Sequence, residues 1–295
     1  MKKLVLLFVF GGIIFVGCDR ESVVSEFDRE IMVFLSAESL STSLLKSTAT
    51  AAEDQVNKIL LFGVNSQGAI IQKYPAITNP TLAGFKLTIS KQVSSLYAIA
   101  NPSSTLESAA AAASVTTSAQ LTALTSSFGN NNGSMPASPF LMAGNGTVSF
   151  SSASVNIELI RAVAKIEIKG ENGFVISSVT VRNTPNTGFV FKQATPSVPA
   201  SGVSRISYSA VSSATPILYV AESTGSNPTT FDVTGRIEGG NSTTYTVTLK
   251  VNGLNVNIAR NTHYTVNIIA ITETECTVIV TIPNWADVIT DPVNV

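Results

Sequence analysis

The chain has 295 residues, long enough to bury a sizeable core, and its 18 Lys and Arg against 19 Asp and Glu give a formal net charge of −1. That balance leaves no basic footprint for nucleic acid, and only 13% of residues are charged. Abundant Val, Ile, Thr, Ser, Asn and Gly with few Lys and Glu point to an all-β exported protein.

Lys2 and Lys3 precede an uncharged stretch, residues 4–16. As a helix it would rise ~1.5 Å per residue, far short of the ~30 Å hydrocarbon core of a bilayer. A basic start, a short apolar run and small residues at its end describe a secretory signal peptide. Phe15-Val16-Gly17-Cys18 then reads as a bacterial lipobox. The small Gly17 fits the peptidase, cleavage falls between Gly17 and Cys18, and the thiol of Cys18 takes the lipid. The alternative is an ordinary signal peptide with a chance cysteine. With Cys18 modified, Cys276, the second of two cysteines, has no partner, so no internal disulfide is expected. Without Lys2 and Lys3 the mature charge is about −3.

Residues 18–29 form a tether. "EIMVFLSA" (30–37) is a strand candidate with Ile31, Val33 and Leu35 on one face and Met32 and Phe34 on the other. The small, polar stretch 38–55, with Lys46 near its middle, reads as a long exposed loop. Strand, turn and strand follow in "NKILLFGVNSQGAIIQKY", with the turn at residues 65–68, then short strands at 84–89 and 96–101. Residues 103–128 predict two short helices. The second has Ser118 as its cap and Leu121, Leu124 and Phe128 on one face.

In "VNIELIRAVAKIEIK" (155–169), Val155, Ile157 and Leu159 share one parity, but Ile160, Ala162, Ala164, Ile166 and Ile168 share the other. Side chains alternate along a strand, so the flip requires a bulge or a change of packing partner. A strand passing from one core to another would do this, and a domain boundary is expected between Lys169 and Gly170. Strands at 174–183, 216–223 and 230–239 follow. "YTVTLKVNGLNVNI" is a hairpin turning at Asn252-Gly253, and two late strands close the series. So many short strands suggest β-sandwiches.

No nucleophile elbow, phosphate-cradling loop or nucleotide fingerprint is present. His263 and Cys276 alone make no zinc site, and both fall in predicted strands. No catalytic residue, metal or cofactor is expected. Arg161 and Lys165 read equally well as polar residues on a strand's outer face.

Three stretches resemble a known family. "RAVAK" (161–165) resembles the R-x-V-A-K segment near the end of the N-terminal domain of fimbrillins, the type V pilins and Mfa-like fimbrial proteins of anaerobic diderm bacteria. "RNTHY" (260–264) resembles their R-N-x-x-Y stretch, and "TVIVTIPNWADV" their closing strand and tryptophan. The resemblance implies two transthyretin-like Greek-key β-sandwich domains, here 30–169 and 170–295, with short helices inserted in the first. It implies no enzymatic activity, and export to the outer membrane as a lipoprotein. A trypsin-like protease then cuts in the loop after the first strand, and a neighbouring subunit's strand fills the vacated groove. Other fimbrial subunits are therefore the implied partners.

Losing an edge strand exposes unpaired backbone groups beside apolar pockets, which an incoming strand satisfies. On this reading Ile31, Val33 and Leu35 mark the departing strand, and Lys46-Ser47 the cut. A solvated loop lysine is the alternative. Val288, Ile289, Val293 and Val295 are candidate donor residues. However, Pro292 lacks a backbone donor, and only ten residues follow Trp285. Those features suit an anchor or accessory subunit that keeps its lipid and first strand. A lipoprotein that binds glycans or host ligands is the third reading. It predicts exposed aromatic platforms, which one Trp and six Tyr supply poorly.

Overall fold

A computed structural model describes residues 28–37, 50–128, 133–149, 151–200, 203–237, 239–251, 253–271, 276–283 and 288–290. Strands dominate it. In the N-terminal half they are β1 (Asp28–Ala37), β2 (Lys58–Val64), β3 (Ile70–Lys73), β4 (Ile77–Thr78), β5 (Phe85–Ser90) and β6 (Ser95–Ala100). After helices α1 (Ser104–Ala111) and α2 (Ser118–Thr122) come β7 (Thr125–Ser127), β8 (Met142–Thr147) and β9 (Ser154–Arg161). One eight-stranded sheet runs β3-β2-β6-β8-β9-β1-β5, with β4 also on β2.

The apolar run of β2 is buried on both faces. Ile59 and Leu61 join β1, β6 and β9 in one core, whereas Leu60 and Phe62 lie under the helices with Leu106, Ala110 and Leu121. A strand covered on both sides reads as a continuous hydrophobic run for this reason. The expected helices are present but short. Ser103 caps α1 through Leu106 N, and Thr117, one residue before the expected cap, forms a capping box with Gln120. α2 stops at its C-cap Ala123, so Leu124 and Phe128 do not extend a helical face; Thr125–Ser127 is extended and pairs with β13 (Thr187–Phe189). Lys73 Nζ donates to the carbonyls of Ala110, Ala111 and Ala112, at 3.4, 3.3 and 2.8 Å, satisfying the end of α1.

The chain changes sheets at Ala162, ahead of the expected boundary at Lys169 and Gly170. β9 belongs to the eight-stranded sheet; β10 (Val163–Gly170) belongs to a five-stranded one. Val155, Ile157 and Leu159 face the first core, and Ala164, Ile166 and Ile168 face the second. The parity flip is this change of packing partner. The second half adds β11 (Phe174–Arg182), β12 (Thr184–Pro185), β14 (Arg205–Ile206), β15 (Ile217–Ala221), β16 (Thr230–Ile237), β17 (Thr243–Thr248), β18 (Lys250–Val251), β19 (Leu254–Asn255), β20 (His263–Ile271), β21 (Cys276–Pro283) and β22 (Val288–Thr290). The sheet β15-β10-β20-β21-β22 and the sheet β11-β16-β17 enclose one core that includes Ile166, Val220, Val266, Val179, Phe231 and Val247. The hairpin at Gly253 (φ +76°) is the short β18–β19 pair; β17 pairs with β16 instead.

β8, "MAGNGT", carries no alternation and is not legible as a strand. It is glycine-rich because it runs against β9. A Cβ on Gly144 would lie 1.8 Å from Glu158 O, and one on Gly146 2.4 Å from Asn156 O.

Candidate functional site

β1 meets the expected pattern. Ile31, Val33, Leu35 and Ala37 are buried, and the alternate residues Met32, Phe34 and Ser36 are half-buried. Their partners in the core include Ile59, Leu61, Ile89, Leu96, Val155 and Ile157. Ile31, Val33 and Leu35 each contribute about 1.5–3 kcal/mol through burial. The strand was expected at an edge, but it lies one position in from it. Residues Asp28 to Val33 pair antiparallel with β5, and Met32 to Ala37 pair parallel with β9. β1 is thus a staggered splint, its first half on one neighbour and its second half on the other, overlapping only at Met32 and Val33. On the far face Met32 and Phe34 lie over Gly84, whose Cβ would meet the Phe34 ring at 2.8 Å. Arg29 ties the start of the strand to Ser149 and Ser152, donating to Ser149 O at 2.6 Å and Ser152 O at 3.3 Å.

The remaining expected site residues divide between placed and unplaced. Val288 and Ile289 lie on β22, at the edge of the five-stranded sheet, where they pair with Pro283 and Ile282. Gly17, Cys18, Lys46, Ser47, Val293 and Val295 lie outside the described residues. Cys276 and His263 open β21 and β20. Among the described residues no group of three or more His, Cys, Asp or Glu is placed to hold a metal ion, and no helix is long and apolar enough to cross a membrane.

Arg161 and Lys165 do not sit on an outer face. They are buried at the junction of the two halves, 1% and 5% exposed. Arg161 donates from Nε to Glu53 O at 3.1 Å, from Nη1 to Asn261 Oδ1 at 2.9 Å, and from Nη2 to Asp54 Oδ1. Lys165 Nζ lies 2.9 Å from Glu53 Oε1, which also accepts from the Tyr219 hydroxyl at 2.5 Å. The second carboxylate oxygen of Glu53 accepts from Thr50 N at 2.6 Å. Burial by itself would raise the Glu53 carboxyl's pKa, but the bonds from Tyr219, Lys165 and Thr50 outweigh it and the net shift is downward. Burial, with Glu53 beside it, pushes the Tyr219 phenol upward. Nearby, Arg260 donates from Nε and Nη2 to Glu222 Oε2, at 2.8 and 2.6 Å, and caps the carbonyls of Val190 and Phe189, at 2.9 and 2.7 Å. Asn261, in the left-handed region at φ +55°, returns its backbone N–H to Val163 O at 2.8 Å. The two short motifs, a hundred residues apart in sequence, are therefore one buried polar knot.

A model of the family described as fimbrillin-like matches residues 48–285. The chain belongs to the fimbrillin-like family. No curated protein matches it. Among solved structures, this fimbrillin-like chain resembles the tip fimbrial protein Mfa3 of Porphyromonas gingivalis, solved with a C-terminal truncation, at TM-score 0.59 and 13% identity, over 88% of this chain and 100% of that one. It also resembles a fimbrial assembly protein of Parabacteroides distasonis, at TM-score 0.58 and 16% identity, over 90% and 99%. At these identities the likeness is one of fold. The fimbrillin-like match opens at residue 48, so β1 lies outside it. Sequence reasoning missed the acidic half of the knot, Glu53 and Asp54. The available signal was a paired acid in an otherwise small-residue loop, in a chain with a basic pair, Arg161 and Lys165, that reads equally well as the outer face of a strand.

Proposed function

We propose that this protein is a structural subunit of a surface fimbria, exported as a lipoprotein through Cys18 and assembled by strand exchange at the β1 slot. Its two halves then act as stacked β-sandwich modules of the transthyretin-like kind, doing no chemistry of their own. Its partners are other fimbrial subunits, and the outer membrane through the lipid. The observation that carries the reading is β1 itself. Three alternating apolar side chains fill the core, and the strand leads into a segment containing Lys46, with the family match beginning directly beyond it. A cut at Lys46-Ser47 would free β1 and leave every other described strand attached. The slot would then present unpaired groups on both β5 and β9 beside vacated apolar pockets, which a strand with alternating apolar residues satisfies.

A second reading has its own support. Val288 and Ile289 pair with β21 of the same chain, and Pro292 stands three residues after Ile289. A segment engaged on its own sheet suits an anchor or accessory subunit that keeps β1 and its lipid. The mature N-terminus separates the two. Intact-mass analysis of the surface-bound form is expected to give a chain beginning at Ser47 for a polymerising subunit, and one beginning at lipidated Cys18 for an anchor. An unlipidated chain with β1 attached would sink both.

A further inference from the structure

The eight-stranded sheet nearly closes on itself. Its two ends are β3 and β5, and the side chain of Gln72 on β3 reaches across the seam. Gln72 Oε1 accepts from Ser90 N at 3.1 Å, and Gln72 Nε2 lies 3.5 Å from Thr88 O. In an antiparallel strand, residues two apart direct their backbone groups to the same side. Thr88 and Ser90 thus turn a carbonyl and an N–H outward, away from β1, and the primary amide of Gln72 meets both as a neighbouring peptide group would. The Tyr74 hydroxyl donates to the same Oε1 at 2.7 Å, so two donors fix the amide's orientation. Room for this comes from Gly63 on β2, opposite Gln72 in the ladder. A Cβ there would lie 2.8 Å from Val93 Cγ2 and 3.3 Å from both Gln72 Cβ and the Tyr74 oxygen.

Among the described residues β5 has one backbone ladder, the one to β1. When β1 departs, β5 keeps no ladder among the described residues, and because β1 is staggered the edges of β5 and β9 overlap across the vacant slot only at Phe85–Lys86 and Ser154–Val155. Without a ladder, β5 is free to shift sideways into the slot by about 4.8 Å, one strand spacing. That movement would carry Thr88 and Ser90 out of reach of Gln72. We infer that Gln72, oriented by Tyr74, is a latch that holds β5 at the seam while β1 is being replaced, keeping the slot one strand wide for the incoming segment. Gln72 is a positioning residue. The inference rests on the strand-exchange reading for its use, but not for its structural effect.

The test uses the full chain and Gln72→Met, which keeps the volume and loses both bonds, with Tyr74→Phe as the milder second variant. In the uncut proteins, amide exchange is followed along β5 and β9. The expected result is exchange at least ~10-fold faster at Leu87, Ile89 and Ser90 in Gln72→Met, less so in Tyr74→Phe, with β9 unchanged. Acceleration at Ser90 alone, or none, overturns the latch whatever the fate of β1. The same chains are then cut at Lys46 with a trypsin-class protease and offered a labelled peptide of residues 28–37. The parent is expected to take up peptide saturably, and Gln72→Met at least ~10-fold more weakly. Equal uptake removes the latch and leaves strand exchange standing. If the parent takes up nothing while β5 exchange still depends on Gln72, strand exchange falls and the latch stands.

Discussion

Val33 and Arg161 are both buried, at 0% and 1% exposure, yet the molecule holds them by opposite means. Val33 and its neighbours on β1 contribute shape and apolar area, with the ladder supplied by backbone groups that any strand possesses. Arg161 contributes directed bonds, among them those to Glu53 O, Asn261 Oδ1 and Asp54 Oδ1. The first kind of contact is transferable: a different strand of similar pattern and volume can replace it, because apolar burial is non-directional. The second kind is not, since a buried charge without its partners is costly. On the strand-exchange reading, a subunit that gives up one element while remaining folded needs both, and here Val33 pairs with Val155, six positions before Arg161 on β9. The knot also holds Glu53 and Asp54, a short distance beyond Lys46 in sequence, so the chain beyond the proposed cut is pinned to the junction whether or not β1 stays.

Arg161→Ala gives the largest expected effect that would sharpen this contrast. It leaves the Glu53 carbonyl, Asp54 and Asn261 without their shared donor in the interior, and is expected to cost about 3–5 kcal/mol. Arg161→Lys should recover little, because an ammonium cannot serve three acceptors arranged around a planar fork. Urea unfolding with a two-state fit reads both. A cost below about 1 kcal/mol for Arg161→Ala would mean that the knot is not what joins the halves.

Val33→Ala comes next, at about 2 kcal/mol from lost apolar area and a residual cavity, and Val33→Ile should cost less than about 1.5 kcal/mol. The comparison breaks if the conservative change on β1 proves as damaging as the conservative change at Arg161. Val33 would then be held by specific shape, and the strand would be a poor candidate for replacement.

Much of this was legible in the amino-acid pattern. Alternation placed β1 and its inward face, the parity flip at Ile160 marked the crossing between cores, and Asn252-Gly253 marked the short hairpin. What could not be read depends on distant partners. Gly144 and Gly146 make β8 unrecognisable locally, because they are there to admit the backbone of β9. Arg161 and Lys165 read as surface residues because their neutralising partners, Glu53 and Asp54, lie more than a hundred positions earlier in what reads as an exposed loop. The same holds for Gln72, whose position at the seam follows only from the curl of the whole sheet.

The smallest expected effect concerns pH, and it asks whether the knot's charges reach beyond its own bonds. His263 follows Thr262, is 5% exposed, and lies 3.4 Å from Glu167 through Nε2. Burial lowers its pKa from the ordinary 6.5; the charges of Lys165 and Lys169 push the same way, and those of Glu167 and Glu53 oppose them. The folded chain thus prefers the neutral imidazole more than the unfolded chain does. The associated stability is fully present above pH 6.5 and is lost as pH falls through the lowered folded value. The downward shift at Glu53 acts in the same direction at lower pH, with stability present above the ordinary 4.5 and lost as pH falls through its own folded value. His263→Gln is expected to flatten the upper part of this profile, from about pH 7 to 5, and to leave the acidic limb in place. Unfolding midpoints measured across that range decide it. If the decline between pH 7 and 5 is as steep in His263→Gln as in the parent, the imidazole is not coupled to the junction, and the knot's electrostatic influence ends at Lys165.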